Sequence, residues 1–279
     1  MPISTMLVPV GSDSHGLKML RYICGLSVQS VRRVLVVTVI DDSGMEAPVV
    51  AAEMDRARQR LAEWMKSIGG ACQMEVETRV VTGDATEALL AVAQQSDVDV
   101  ICCGTEGKSL IEAVFAGSIS EELFASGKVR TMTVRNELLD TCEDPALLAR
   151  DFAKTLVIPT DFSASATRAW LSAIERPAEV IGTLHAIHVI NPGDENQRRN
   201  AEVLLSALLD IAREHGVEAK SEILEGTDPA ACVLAYLDTV AATGVITGQR
   251  GRGALSRVLL GGMSLQLLRE APCPVVVQP

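Results

Sequence analysis

Apolar residues fall in short runs along the chain, separated by amphipathic stretches of helical length. In the first half the runs predict strands over 5–10, 34–40, 74–81, 98–103 and 129–134. The run at 34–40 is almost unbroken, as expected of a parallel sheet buried on both faces. Between the strands lie predicted helices over 15–26, 48–68, 84–95 and 118–125. The first carries an apolar stripe through Leu17, Leu20, Ile23 and Cys24 or Met19. The second turns Glu53, Asp55, Arg56, Arg58, Arg60, Glu63 and Lys66 to solvent, and Gly69-Gly70 stops it. Strands and helices in strict alternation favour a parallel, doubly wound α/β sheet over any other architecture. Such sheets bind ligands beyond the carboxyl ends of their strands, where the strand order reverses.

The same order then recurs. Strands are predicted over 155–159, 180–190, 219–224, 245–247 and 274–277, with helices over 163–174, 196–214, 229–239 and 264–269. Pro9 matches Pro159 at an offset of 150, Gly83 matches Gly226 at 143, and Gly104 and Ser120 match Gly248 and Ser264 at 144. An internal duplication accounts for this. It predicts one domain over 1–135 and a second over 151–279. The stretch 136–150, with Glu137, Asp140, Glu143 and Asp144-Pro145, reads as a turn and short helix start suited to a linker.

Composition narrows the function classes. Hydrophobic residues make up 48% and aromatics only 3%, so Val, Leu, Ile, Ala and Met must build the core. A net charge of −11 offers no basic footprint for duplex nucleic acid, and so few aromatics argue against stacking on single strands. The seven cysteines are an odd count without CxxC spacing and read as small buried hydrophobes in a reducing compartment. Met1-Pro2-Ile3-Ser4 lacks a basic region followed by an apolar run, and no apolar run approaches the ~18 residues of a membrane span. The expectation is a cytoplasmic protein with no membrane and no nucleic-acid partner.

Two glycine-rich stretches carry the candidate chemistry. Gly104, Gly107 and Gly117 are spaced as Gly248, Gly251 and Gly261 are, and each set follows an apolar run and leads into a predicted helix. Glycine permits positive φ and close approach of backbone to a ligand, and a helix amino-terminus beyond it directs N–H groups at an anion such as phosphate. Glycines that merely end strands would look the same in one copy. Two copies at identical spacing argue for a built site.

Both stretches resemble the nucleotide-binding signature of the universal stress protein family, in which Ser or Thr follows the last glycine. The first copy matches through Gly104, Gly107, Gly117 and Ser118; the second matches through Gly248, Gly251 and Gly261 but has Gly262 next. The family's Val-Pro-x-Asp strand end appears as Val157-Ile158-Pro159-Thr160-Asp161, and as Leu7-Val8-Pro9-Val10-Gly11, where glycine replaces the aspartate. The resemblance spans essentially the whole chain, twice. It implies two tandem doubly wound parallel-sheet domains of the Rossmann-like, adenine nucleotide alpha hydrolase-like type. It also implies an intramolecular pseudo-dimer, with residues 131–134 and 275–277 near the pseudo-two-fold axis. The implied ligand is ATP or another adenine nucleotide, with or without magnesium. Pro159 and Asp161 would line its nucleoside end, and Thr38-Val39 and His188-Val189 its adenine pocket.

The two sites are unequal. Ser118 opens a capping box with Glu121, and a capping role is compatible with holding phosphate beside Ser120. Gly262 lacks that hydroxyl, a loss of roughly 1.5–3 kcal/mol for a bond to a charged group, while Ser264 keeps the second hydroxyl. Arg250, Arg252 and Arg257 favour phosphate in the second copy, whereas Glu106 opposes Lys108 in the first. Asp161 and the cationic loop therefore rank the second half ahead. No HExxH, GxSxG, Walker lysine or magnesium-binding carboxylate pair is evident, and His185 and His188, three apart on a strand, face opposite ways. The reading is a stress-response switch or sensor acting on an unknown protein partner. An adaptor or chaperone-like module with decayed sites, or a slow ATPase, stands as the alternative. Pairing of tandem chains into a homodimer is left open.

Overall fold

In the first half, β1 (Thr5–Pro9), β2 (Arg33–Ile40), β3 (Glu75–Thr82), β4 (Val100–Thr105) and β5 (Arg130–Arg135) alternate with α1 (Ser14–Gly25), α2 (Ala47–Ile68) and α3 (Ala85–Gln95). The computed structural model describes residues 3–11, 14–26, 31–105, 123, 126–175, 180–249 and 262–279. The helix expected over 118–125 lies almost wholly outside them. The chain divides into two compact units that meet in sequence between Arg150 and Asp151.

The strands of the first unit run parallel in the order β3-β2-β1-β4-β5. The order reverses between β1 and β4, where Leu7 is in register with both Leu35 and Ile101. Those three side chains are fully buried and join Val37, Leu89, Val92 and Cys103 in one core cluster. β2 and β4 are buried almost throughout because helices cover both faces, whereas the edge strand β3 is only partly buried. α2 begins with Pro48 in its first turn and ends at Gly69, whose φ of 46° suits glycine. Asp84 caps α3 by accepting the Glu87 N–H at 2.9 Å.

The 136–150 stretch, expected as a linker, folds into α4 (Asn136–Thr141) and α5 (Pro145–Arg150). α5 packs on α1 so closely that a Cβ on Gly25 would lie 2.1 Å from the Ala146 carbonyl oxygen.

The second unit repeats the plan. A 3-10 turn over Asp151–Ala153 leads to β6 (Thr155–Pro159), α6 (Ala164–Ile174), β7 (Thr183–Ile190), α7 (Glu195–Glu214) and β8 (Ala219–Glu225). Then come α8 (Pro229–Thr239), β9 (Gly244–Gly248), α9 (Gly262–Glu270) and β10 (Val275–Gln278). Its parallel strands are ordered β8-β7-β6-β9-β10, the arrangement of the first unit. β7 starts later than the expected 180 because its partner β6 starts only at Thr155, opposite Thr183. The duplication extends to side chains. Asp99 Oδ2 accepts the Thr5 N–H at 2.9 Å, and Thr243 Oγ1 accepts the Thr155 N–H at 2.8 Å.

Candidate functional site

β1 ends at Pro9, yet the chain stays pinned to β2 beyond it. The Val10 N–H donates to the Val37 carbonyl at 3.0 Å, and the Thr38 hydroxyl donates to the Val10 carbonyl at 3.1 Å. Beyond lies exposed Gly11. A cleft of about 220 Å³ opens here, at the carboxyl ends of β1, β2 and β4. Pro9, Val10 and Gly11 form one side, Val37 and Val39 the β2 side. Ala85 and Leu89 of α3 close it, with Cys103 and Gly104 at the end of β4. It therefore occupies the point where the strand order reverses, the place such sheets use for ligands.

Among the described residues, no charged side chain lines this cleft. Burial pushes the Cys103 thiol up to about 12, so it stays protonated and acts as an apolar wall. Gly104 is the last residue but one of β4. A Cβ there would come within 2.8 Å of Asn136 Oδ1 and 3.4 Å of Met19 Cε.

In the second unit the pinning repeats with a different donor. The Thr160 N–H donates to the Ile187 carbonyl at 2.8 Å. His188 Nδ1 lies 2.7 Å from the Thr160 carbonyl oxygen, which can only accept, so Nδ1 carries the proton. Thr38 and His188 are thus the same position in the two copies. The sequence reading placed both at the ligand end, but their donor role was not seen; the offset of 150 between Pro9 and Pro159 carries that signal.

The turn after β6 is held by contacts of its own. Phe162 takes φ 59°, a left-handed conformation uncommon outside glycine, and its ring centroid lies 4.6 Å from that of His188. Asp161 Oδ1 accepts the Ser163 N–H at 3.0 Å, and Ser163 caps α6 through the Ala166 N–H. Pro159 is buried and Val189 is half-buried opposite Leu224.

Gly248 ends β9 against the amino-terminus of α6, where a Cβ would lie 2.5 Å from Ser165 Oγ and 2.8 Å from the Ala166 nitrogen. The Ser264 hydroxyl, fully buried, donates to the Gly248 carbonyl at 2.8 Å. Ser264 and Gly248 are therefore brought together, and Gly262 lies exposed at the start of α9. Neither Gly104 nor Gly248 is among the glycines with positive φ. Close approach, not a turn, is what glycine provides at both. Gly107, Gly117, Ser118, Ser120, Arg250, Gly251, Arg252 and Gly261 lie outside the described residues. Among the described residues no helix is long and apolar enough to cross a membrane, and no group of three or more His, Cys, Asp or Glu side chains is placed to hold a metal ion.

A model of the universal stress protein family matches residues 2–135 and again 153–279. A universal stress protein of Methanocaldococcus jannaschii is 30% identical over 138 residues, covering 44% of this chain and 81% of that relative. Among solved structures, a universal stress protein from Archaeoglobus fulgidus gives a TM-score of 0.79 at 24% identity, over 98% of this chain and 95% of its own. A functionally unknown protein from Pseudomonas aeruginosa gives 0.64 at 15% identity, over 99% and 92%. At those identities the solved structures speak for the fold alone. The sequence match covers nearly the whole chain in two successive copies, and the chain belongs to the universal stress protein family.

Proposed function

We propose that the chain binds an adenine nucleotide, ATP foremost, and that occupancy acts as a regulatory switch or sensor read by a protein partner. The observation that carries this is the cleft at the strand-order reversal of the first unit, uncharged among its described lining residues. At about 220 Å³ it is smaller than the roughly 300–1,000 Å³ of whole small-molecule sites. It suits the base of a nucleotide, with the phosphates reaching outside it. Val39 faces the base there, and Gly104, Gly107, Gly117, Ser118 and Ser120 supply the phosphate end. Magnesium, where it takes part, arrives with the phosphates.

In the second unit Pro159, Asp161 and Val189 would take the nucleoside, and Gly248, Arg250, Gly251, Arg252, Gly261, Gly262 and Ser264 the phosphates. Two of these groups already have structural work, since Asp161 accepts the Ser163 N–H and the Ser264 hydroxyl donates to Gly248. That favours, for this half, the second reading of a partner-binding module. A reducing, cytoplasmic setting goes with this reading.

Native-purified protein, denatured and assayed for released adenine nucleotide, tests the reading. Wild type is expected to release it, or to bind added ATP saturably. Val39→Trp, which fills the first cleft, should abolish this in a chain that still unfolds cooperatively. Wild-type protein that neither carries nor binds adenine nucleotide would leave the partner-binding reading in its place.

A further inference from the structure

α1 ends in Cys24-Gly25, and α2 is followed by a 3-10 turn over Gly69–Ala71 and then Cys72. α1 and α2 lie side by side, a Cβ on Gly16 meeting the Trp64 ring at 2.5 Å, and the same offset of 48 residues sets Cys24 beside Cys72 past the helix ends. Cys24 is buried and Cys72 is half-buried, so only the second reaches solvent appreciably. The Cys24 S–H and the Met74 backbone N–H are the donors nearest the Cys72 sulfur that favour its charged form. These two donors stabilise negative charge on one particular sulfur. They hold the Cys72 thiol down to about 7 although burial opposes them. The same contact, reinforced by burial, pushes the Cys24 thiol far up. Elsewhere, burial pushes Cys102, Cys103 and Cys142 up as well.

A half-exposed sulfur held by donors beside a second, buried thiol is the arrangement of an oxidisable pair. We propose that Cys72 is a peroxide-reactive thiol and Cys24 its resolving partner, so that hydroperoxide joins the carboxyl end of α1 to the segment after α2 by a disulfide.

The chemistry closes without any further reactant. The Cys72 thiolate attacks one peroxide oxygen, the O–O bond breaks, and the departing hydroxide takes a proton to leave as water. Cys72 is then a sulfenic acid. The Cys24 sulfur attacks the Cys72 sulfur, the S–O bond breaks, and the released hydroxide leaves as water with the Cys24 proton. Two thiols and one hydrogen peroxide give one disulfide and two waters, the sulfurs being oxidised and the peroxide reduced. Thiol reductants reverse it by exchange.

The full-length reduced chain, treated with limiting hydrogen peroxide near pH 7, quenched by alkylation and peptide-mapped, tests the pairing. An ordinary thiol, with pKa about 8.5, is only a few per cent ionised there, and burial pushes Cys142 higher still, so Cys72 is expected to react at least roughly tenfold faster than Cys142. The map should show a peptide joining Cys24 to Cys72, lost on reduction. Cys24→Ser should instead accumulate sulfenic acid at Cys72, trapped by dimedone. A Cys72 that reacts no faster than Cys142, or a disulfide joining other cysteines, would overturn the proposal. The wild-type map decides this even if Cys24→Ser folds poorly.

Discussion

Gly248 shows how one residue can look like a ligand contact and be needed for packing. Its missing side chain lets the end of β9 come against the first turn of α6, where the Ala166 nitrogen is fixed by the Ser163 cap. The Ser165 and Ala166 backbone, each 2.8 Å from such a Cβ, leaves no room for a methyl group. Gly104, its equivalent, faces instead the end of the Asn136 side chain, which can rotate away. Gly248→Ala should therefore cost about 1–3 kcal/mol, as overpacking does, and Gly104→Ala clearly less. Urea unfolding of the two variants measures the difference. Equal losses would mean that the contact with α6 is not what requires glycine at 248.

At the scale of elements, the period-two pattern of β7 sends His185 and His188 to opposite faces, as the sequence implies. His188 reaches the turn after β6, while His185 Nδ1 sits 2.9 Å from the Tyr236 hydroxyl on α8. Burial lowers the His185 pKa, Lys220 in register on β8 adds to this, and Glu218 opposes it. Above the ordinary pKa of about 6.5 neither folded nor unfolded chain is protonated at this group. Below it the unfolded chain takes up the proton first, so stability falls as pH falls. Denaturant midpoints should drop between about pH 7.5 and pH 5.5, and His185→Gln, which can still bond Tyr236, should flatten that drop. An unchanged slope would place the effect elsewhere. The ion-paired carboxylates Glu77 and Asp140, whose pKa values are lowered by their hydrogen-bonded partners, lose their contribution in a more acid window. Such elements are legible because burial on one or both faces dictates the apolar period. The cleft is not, because Ala85 and Leu89 reach it only through the crossover that lays α3 across the strand ends. Nor does any residue preference announce the left-handed turn at Phe162.

For the whole molecule, the duplicated plan makes each half a control for the other. Both units pin the residue after their shared proline to the second strand, by Thr38 in one and His188 in the other. They diverge one residue further on. The first unit has exposed Gly11 beside an open cleft, while in the second Asp161 accepts the Ser163 N–H of its own turn. If the first cleft takes the nucleoside, it does so without the carboxylate that the signature resemblance implies at this position, and placing one there should strengthen binding. One hydrogen bond with a charged partner contributes roughly 1.5–3 kcal/mol, so Gly11→Asp should tighten ATP binding by about tenfold or more. Titration calorimetry on the full chain reads this directly, with Asp161→Asn in the same chain to silence the other half's carboxylate. Tightening in the double variant assigns the nucleoside to the first unit. Unchanged affinity for Gly11→Asp, together with loss on Asp161→Asn alone, would move the working site to the second.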